Sequence, residues 1–428
     1  MPLETVAVQT AEKPIDATLE LPGSKSYSNR ALLVAALAEG RSEITRALFS
    51  DDTHYMHTAL SALGISVEAD EAFQRFLVTG AGERIPAAGA ELYTGNAGTA
   101  ARFLTAAVAL GHGTFVVDGS ERMRQRPIQP LIDGLQQLGV DARARFGNGC
   151  PPVVVHAQGI PGGRARVRGD ISSQYLSALL LAGPYAASGI EIDVEGELVS
   201  APYIDITLDV MAAFGVRTER DGVRRFVVPG GQRYQGREYS IEPDASSASY
   251  FFAAAAVTGG RVRVSHLGAA SAQGDLRFVD VLERMGCTVV RDARSTEVRG
   301  PAQLRGVDAD FTRMGDVATT LAAIAPFADG PVTLRGIAQT HHEESDRPVA
   351  AATELRRIGI AVDETWDSLT IHPGSPQPAV IHTYDDHRIA MSFAVTGLKA
   401  PGVMIANPGC VAKTFPRFFD LLAEVTGR

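Results

Sequence analysis

The chain has 428 residues, 45% of them hydrophobic and 21% charged, which suits two or three domains with sizeable cores. A net charge of −9 argues against a general nucleic-acid or membrane binder, which would present a basic face, although a local basic pocket can oppose the global sign. The cysteines Cys150, Cys287 and Cys410 form no CxxC pair, no apolar run reaches the ~18 residues of a membrane span, and residues 1–21 carry no signal-peptide core, so a cytoplasmic protein is expected.

Taken in chain order, the predicted elements repeat. An amphipathic helix ending in hydrophobic-Gly and leading into a β-rich run recurs as MHTALSALGISVEA, PLIDGLQQLGVDARA, ITLDVMAAFGVRTE, FVDVLERMGCTVVRD, AATELRRIGIAVDE and, cut short, FFDLLAEVTG. The glycines Gly64, Gly139, Gly215, Gly286, Gly359 and Gly427 stand about 70 residues apart, and each suits the left-handed residue on which helices commonly stop. A second series interleaves with the first: SNRALLVAALAEG, NAGTAARFLTAAVALG, SSQYLSALLLAGPYA, DASSASYFFAAAAVTGG, DVATTLAAIAPFADG and DDHRIAMSFAVTGL. These open on Ser, Asn or Asp, which cap helices, and then run almost wholly apolar, as helices buried on every side do. Their starts are expected near Ser28, Asn96, Ser172, Ser246, Asp316 and Asp386. Six α/β units in two domains of three follow, with chain crossings near residues 21–24 and 240–244.

The chemistry concentrates where the buried helices begin, at LPGSKSYSNR, YTGNAGTAAR, GDISSQY, EPDASSAS, MGDVATT and YDDHR. Free N–H groups and the helix dipole favour an anion at such starts, and Lys25, Arg30, Arg102 and Arg388 add positive charge. Three loops add more: ERMRQRPIQP with Arg126, HHEESDRP with Arg347, and NPGCVAKTFPRF with Lys413. Arginine binds phosphate and carboxylate bidentately, whereas lysine acts as a mobile point charge. GSKS is no nucleotide P-loop, because Lys25 follows Ser24 and the position where that loop needs its first glycine is Thr18. HHEESD lacks the ligand spacing of a metal site, and no G-x-S-x-G elbow suggests a hydrolase.

These motifs, together with ELVSAPYID, ESDRPVAAATELRRIG and KTFPRFFDLL, resemble the 5-enolpyruvylshikimate-3-phosphate synthase family of enolpyruvyl transferases, in unbroken order from residue 13 to 422. The resemblance implies an α/β fold of two domains, each of three βαβαββ units, with buried helix starts facing the cleft. The first domain would span 23–241, mainly on the shikimate 3-phosphate side; residues 1–22 and 242–428 would form the second. It implies transfer of the enolpyruvyl group of phosphoenolpyruvate to the 5-hydroxyl of shikimate 3-phosphate, releasing phosphate through a tetrahedral intermediate. Lys25, Ser26, Arg30, Ser172, Ser173, Gln174, Ser200, Tyr203, Asp316 and Gln339 match the shikimate 3-phosphate site. Lys25, Gly98, Arg126, Gln174, Arg347, Arg388 and Lys413 match the phosphoenolpyruvate site, which analogues such as glyphosate also enter. Asp316 and Glu344 match the acid–base pair, Lys25 joins them in catalysis, and Arg102 matches a supporting position. Glu344 would need a raised pKa to donate a proton, which a dry cleft can supply. No metal or organic cofactor is implied, and a monomer acting on two small molecules is expected.

The sequence departs from the family pattern at Glu343 (often lysine), Gln339 (often asparagine), Phe103 (proline) and Pro348 (leucine). An inward-pointing acid at 343 would repel the shikimate phosphate. Two other readings compete. UDP-N-acetylglucosamine enolpyruvyl transferase typically has Lys-Asn near its start and a cysteine in the mobile loop, whereas here Ser26 follows Lys25 and ERMRQRP has no cysteine. A non-catalytic anion-binding relative would have no need to retain Asp316 and Glu344 together.

Overall fold

The computed structural model describes residues 4–427. Alternating side chains make the strands and uninterrupted apolar runs make the inner helices, as one repeat illustrates. In Val153–Gln158, Val153, Val155 and Ala157 are buried while Val154 and His156 are half-buried, the two-residue period of a sheet covered on one face. In Gly98–Ala107 every residue is buried. This helix joins the parallel strands Gly89–Tyr93 and His112–Asp118; the amphipathic helix Gln129–Gln137 follows, and Asp141–Ala144 and Val153–Gln158 complete an antiparallel edge.

The same arrangement recurs, giving five four-stranded sheets and one three-stranded sheet among the described residues. The chain divides into two compact units, one of residues 23–242 and one of residues 1–22 with 243–428. The strands at the two passages are exchanged. Asp16–Leu19 precedes the helix Lys25–Leu37 in sequence but pairs in parallel with Arg261–Ser265, whereas Glu238–Ser240 pairs in parallel with Arg41–Thr45. Each unit thus takes the edge strand of one sheet from chain that lies far away in sequence. The three-stranded sheet orders Thr5–Ala7, Val403–Ala406 and Ala379–Ile381.

All six repeat glycines have positive φ, from 81° at Gly359 to 103° at Gly286, so the helix stop that their spacing predicts is what they form. The predicted N-caps split into two groups. Ser172 and Asp386 accept from backbone N–H groups of the first turn, as caps do, whereas the helix expected to start near Ser246 is capped two residues earlier, by Asp244, which accepts from Ser247 N. Ser28 lies inside its helix, which starts at Lys25, and its Oγ accepts from Leu48 N at 3.0 Å. Asn96 lies before the cap residue Ala97, and Asp316 sits in the 3-10 turn Gly315–Val317 ahead of Ala318–Ile324. The side chains of these last two turn to arginines instead. No helix among the described residues is long and apolar enough to cross a membrane.

Candidate active site

In the unit of residues 23–242, Lys25 is the first residue of its helix, with Nζ 3.7 Å from Asp52 Oδ2 at the head of the helix Asp51–Ala62. One turn on, Arg30 is 2% exposed. It donates through Nε to Thr207 Oγ1 (2.8 Å), through Nη1 to Ser26 O (3.0 Å), and through Nη2 to Ser177 Oγ (3.2 Å) and Tyr203 O (3.1 Å). Its guanidinium also lies 5.0 Å over the Phe103 ring. Burial lowers its pKa from the ordinary arginine value to about 10, so it remains a cation whose partners are all neutral. Arg30 thereby ties together the helices that carry Ser173, Tyr203 and Gly98.

Ser172 caps its helix by accepting from Gln174 N at 3.3 Å; Ser173 is buried and Gln174 half-buried. Ser200 holds a left-handed backbone (φ 53°) just before the helix Pro202–Ala213, and Tyr203 N donates to its carbonyl at 3.0 Å. Nearby, Arg126 Nη1 reaches Asn96 O (3.2 Å) and Oδ1 (3.3 Å). Arg102 donates to Gly98 O (3.3 Å) and to Pro127 O (2.9 Å), fastening the turn that presents Arg126. A Cβ at Gly98 would lie 2.8 Å from Arg126 Nη2 and 2.9 Å from Arg102 Nη1. Gly98→Ala therefore has to displace Arg126, which is 3% exposed and already bound.

In the other unit, Arg347 is the centre. It is 2% exposed and opens the helix Arg347–Arg357. It donates through Nε to Asp386 Oδ2 (2.9 Å), through Nη1 to Asp316 Oδ1 (2.9 Å), and through Nη2 to Glu344 Oε2. Burial works against its charge, but Asp386, Glu344 and Asp316 outweigh it and hold its pKa well above the ordinary arginine value. Arg388 Nη2 meets Asp316 Oδ2 at 2.6 Å, and Lys413 Nζ lies 3.5 Å from Glu344 Oε1. Asp386, fully buried, also accepts from Arg388 N (2.9 Å) and Ser345 Oγ (2.8 Å). Five predicted residues, Asp316, Glu344, Arg347, Arg388 and Lys413, thus form one linked cluster of alternating charge.

Gln339 is buried, and a Cβ at Gly315 would lie 3.0 Å from its Nε2, so it stands beside the turn that holds Asp316. Glu343 is half-buried. His341 is bound through Nδ1 to Asp346 Oδ1 (2.7 Å) and through Nε2 to Trp366 O (2.8 Å), with its ring stacked 3.9 Å from that of Trp366. The histidine of HHEESD thus braces the segment ahead of Arg347.

Sequence reading left Asp386, Asp52, Asn96 and Asp275 without a role in the site. The cap position of Asp386 was visible, but its second oxygen on Arg347 was not, because Arg347 lies 39 residues earlier in the chain. Asp275, in the turn Gly274–Arg277, is 3% exposed and accepts from Ser246 Oγ. Burial first, then Asp316, pushes its pKa from 3.8 up to about 7. Between those two values the folded protein holds a proton that the unfolded chain has released, so this group's contribution to stability falls as pH rises across that window. Asp275→Asn should remove that fall. Urea unfolding at a series of pH values checks this, and parallel wild-type and variant curves would contradict it.

The fold is that of the two-unit α/β enolpyruvyl transferases. The structure matches an EPSP synthase from Acinetobacter baumannii with a TM-score of 0.82 and 27% identity over 98% of each chain. It matches the enolpyruvyl transferase NikO from Streptomyces tendae with a TM-score of 0.77, covering 99% of this chain and 98% of that one; at 19% identity this is a likeness of fold alone. The sequence pattern of the family EPSP synthase (3-phosphoshikimate 1-carboxyvinyltransferase) matches residues 9–422. A 3-phosphoshikimate 1-carboxyvinyltransferase of Trichormus variabilis is 49% identical, with all of both chains covered. A chloroplastic one of Solanum lycopersicum is 47% identical, covering 98% of this chain and 86% of that protein. The chain belongs to the EPSP synthase family.

Proposed function

We propose that this chain transfers the enolpyruvyl group of phosphoenolpyruvate to the 5-hydroxyl of shikimate 3-phosphate and releases phosphate. The observation that carries the reading, beside family membership, is the cluster in which Arg347, Arg388 and Lys413 are held on Asp316 and Glu344. Each substrate bears a phosphate and a carboxylate, so bringing the two together requires cations fixed in advance. Arg347, Arg388 and Lys413, with Arg126 and the backbone at Gly98, would hold phosphoenolpyruvate. Lys25, Ser26, Arg30, Ser172, Ser173, Gln174, Ser200, Tyr203 and Gln339 would hold shikimate 3-phosphate, with Lys25 and Gln174 reaching both. The buried charge of Arg30, surrounded only by neutral partners, suits an anionic ligand.

With Arg347 and Lys413 on it, Glu344 serves as an acceptor. Substrate phosphate and carboxylate would compete for those cations, and Glu344, taking up a proton from water as it is released, would pass that proton to the methylene carbon. Asp316, likewise released by Arg347 and Arg388, would take the proton of the 5-hydroxyl as its oxygen bonds to C2. Glu344 would then take back a methyl proton as the bond from C2 to the phosphate oxygen breaks, which restores the double bond, and phosphate would leave with the proton that Asp316 took from the hydroxyl. The reading carries with it a cytoplasmic monomer acting on two small molecules. A phosphate-release assay with shikimate 3-phosphate beside UDP-N-acetylglucosamine tests the choice of acceptor. Release with the shikimate ester alone is expected, and release with the sugar nucleotide alone would overturn the reading.

Gly98→Ala should raise KM for phosphoenolpyruvate and weaken glyphosate inhibition, each by about tenfold, because Arg126 is displaced by the added methyl. Unchanged kinetics and inhibition would show that the backbone does not approach the ligand there.

A further inference from the structure

Two consecutive non-glycine residues, Tyr384 and Asp385, hold left-handed backbone, each with φ 55°. L-residues stay in that region only where their surroundings impose it, and such strain gathers at functional sites. The pair stands directly before Asp386, whose carboxylate receives Arg388 N, Ser345 Oγ and Arg347 Nε. A small change in this bend therefore moves the cap that orients two arginines.

A fully buried carboxylate outside the cluster holds the bend. Glu354 lies seven residues after Arg347 on the same helix, two turns on and on the same face. Its Oε1 accepts from Tyr384 OH at 2.7 Å and its Oε2 from His382 N at 3.0 Å. Arg357, partly exposed, balances its charge through contacts of 2.7 and 3.3 Å. Burial and the Glu354 carboxylate push the Tyr384 pKa up to about 12, so the phenol keeps the proton it donates. On the other side, Asn407 Nδ2 donates to Asp385 Oδ1 at 3.1 Å. One rigid helix is thereby fastened to the bend twice, by Arg347 on Asp386 and by Glu354 on Tyr384 and His382.

We propose that Glu354 is a positioning residue for the phosphoenolpyruvate half of the reaction, holding the 382–386 bend so that Asp386 keeps Arg347 and Arg388 aimed. The inference rests on the function proposed above. Its test is steady-state kinetics of the full-length wild type, Glu354→Gln and Tyr384→Phe with each substrate varied in turn. Glu354→Gln, which puts an amide N–H against donors, should raise KM for phosphoenolpyruvate about tenfold and leave that for shikimate 3-phosphate within about twofold. Tyr384→Phe, which removes one hydroxyl, should shift the same constant the same way by about threefold. Tyr384 is 44% exposed, so this variant folds and decides the question even where Glu354→Gln does not. Both KM values unchanged or moving together, with only a lower melting temperature, would make Glu354 a fold brace and overturn the proposal. A wild type without shikimate-phosphate-dependent turnover would overturn the function itself, whereas active wild type with unshifted variants overturns the positioning role alone.

Discussion

Asp316→Ala and Glu344→Ala should each lower kcat by roughly 10²- to 10⁴-fold, the range typical of a lost acid or base, while the protein still folds. Folding survives because the cluster is redundant. Without Asp316, Arg347 keeps Asp386 and Glu344, and Arg388 keeps its helix start and its 3.4 Å contact with Tyr250 OH. Without Glu344, Arg347 keeps two carboxylates. The loss should appear in kcat more than in KM, because neither acid is assigned to hold the phosphate or carboxylate of phosphoenolpyruvate. Turnover measured beside a circular-dichroism melt checks this, and near wild-type turnover in either variant would remove the acid–base assignment.

Arg347→Met should have the largest effect on stability. The side chain is 2% exposed and meets three carboxylates, those of Asp316, Glu344 and Asp386, of which the last two are buried as well. Removing the central cation leaves these acids facing one another in a low-dielectric setting. Breaking a buried pair from one side costs about 3–5 kcal/mol, because the stranded charge is desolvated without compensation. Lys413→Met, which gives up a longer contact of 3.5 Å with Glu344 and leaves Arg347 on that carboxylate, should cost clearly less. Urea unfolding of both variants ranks them, and equal stabilities would show that Arg347 does not hold the cluster together. Turnover of Arg347→Met should vanish with it, since the same guanidinium is assigned to the substrate.

Much of the fold was legible because its signals are local. A glycine that must take positive φ, a cap residue and an apolar run are each written within a few residues, and six copies at one spacing made them unmistakable. The exchange of Asp16–Leu19 and Glu238–Ser240 was implied only by the family resemblance, since pairing between strands 245 residues apart (261 − 16) and 195 residues apart (238 − 43) leaves no local trace. In the site, the cations were readable from charge at helix starts. Asn96 and Asp316 looked like caps because a cap and an arginine ligand use the same short polar side chains. Glu354 looked like an ordinary charged residue of an amphipathic helix. Only the fold reveals that it is fully buried and facing a strained bend. Glu343 is half-buried, while its neighbour Glu344 turns to Arg347 and Lys413.

The central claim is that cations fixed on Asp316 and Glu344 join two phosphorylated substrates and release one phosphate. Phosphorus NMR of the full-length protein with shikimate 3-phosphate and phosphoenolpyruvate tests it most directly. Both starting resonances should fall together as inorganic phosphate and one new phosphate monoester rise in equal amounts. Two starting resonances that persist unchanged, or phosphate released from phosphoenolpyruvate without the shikimate ester, would contradict it.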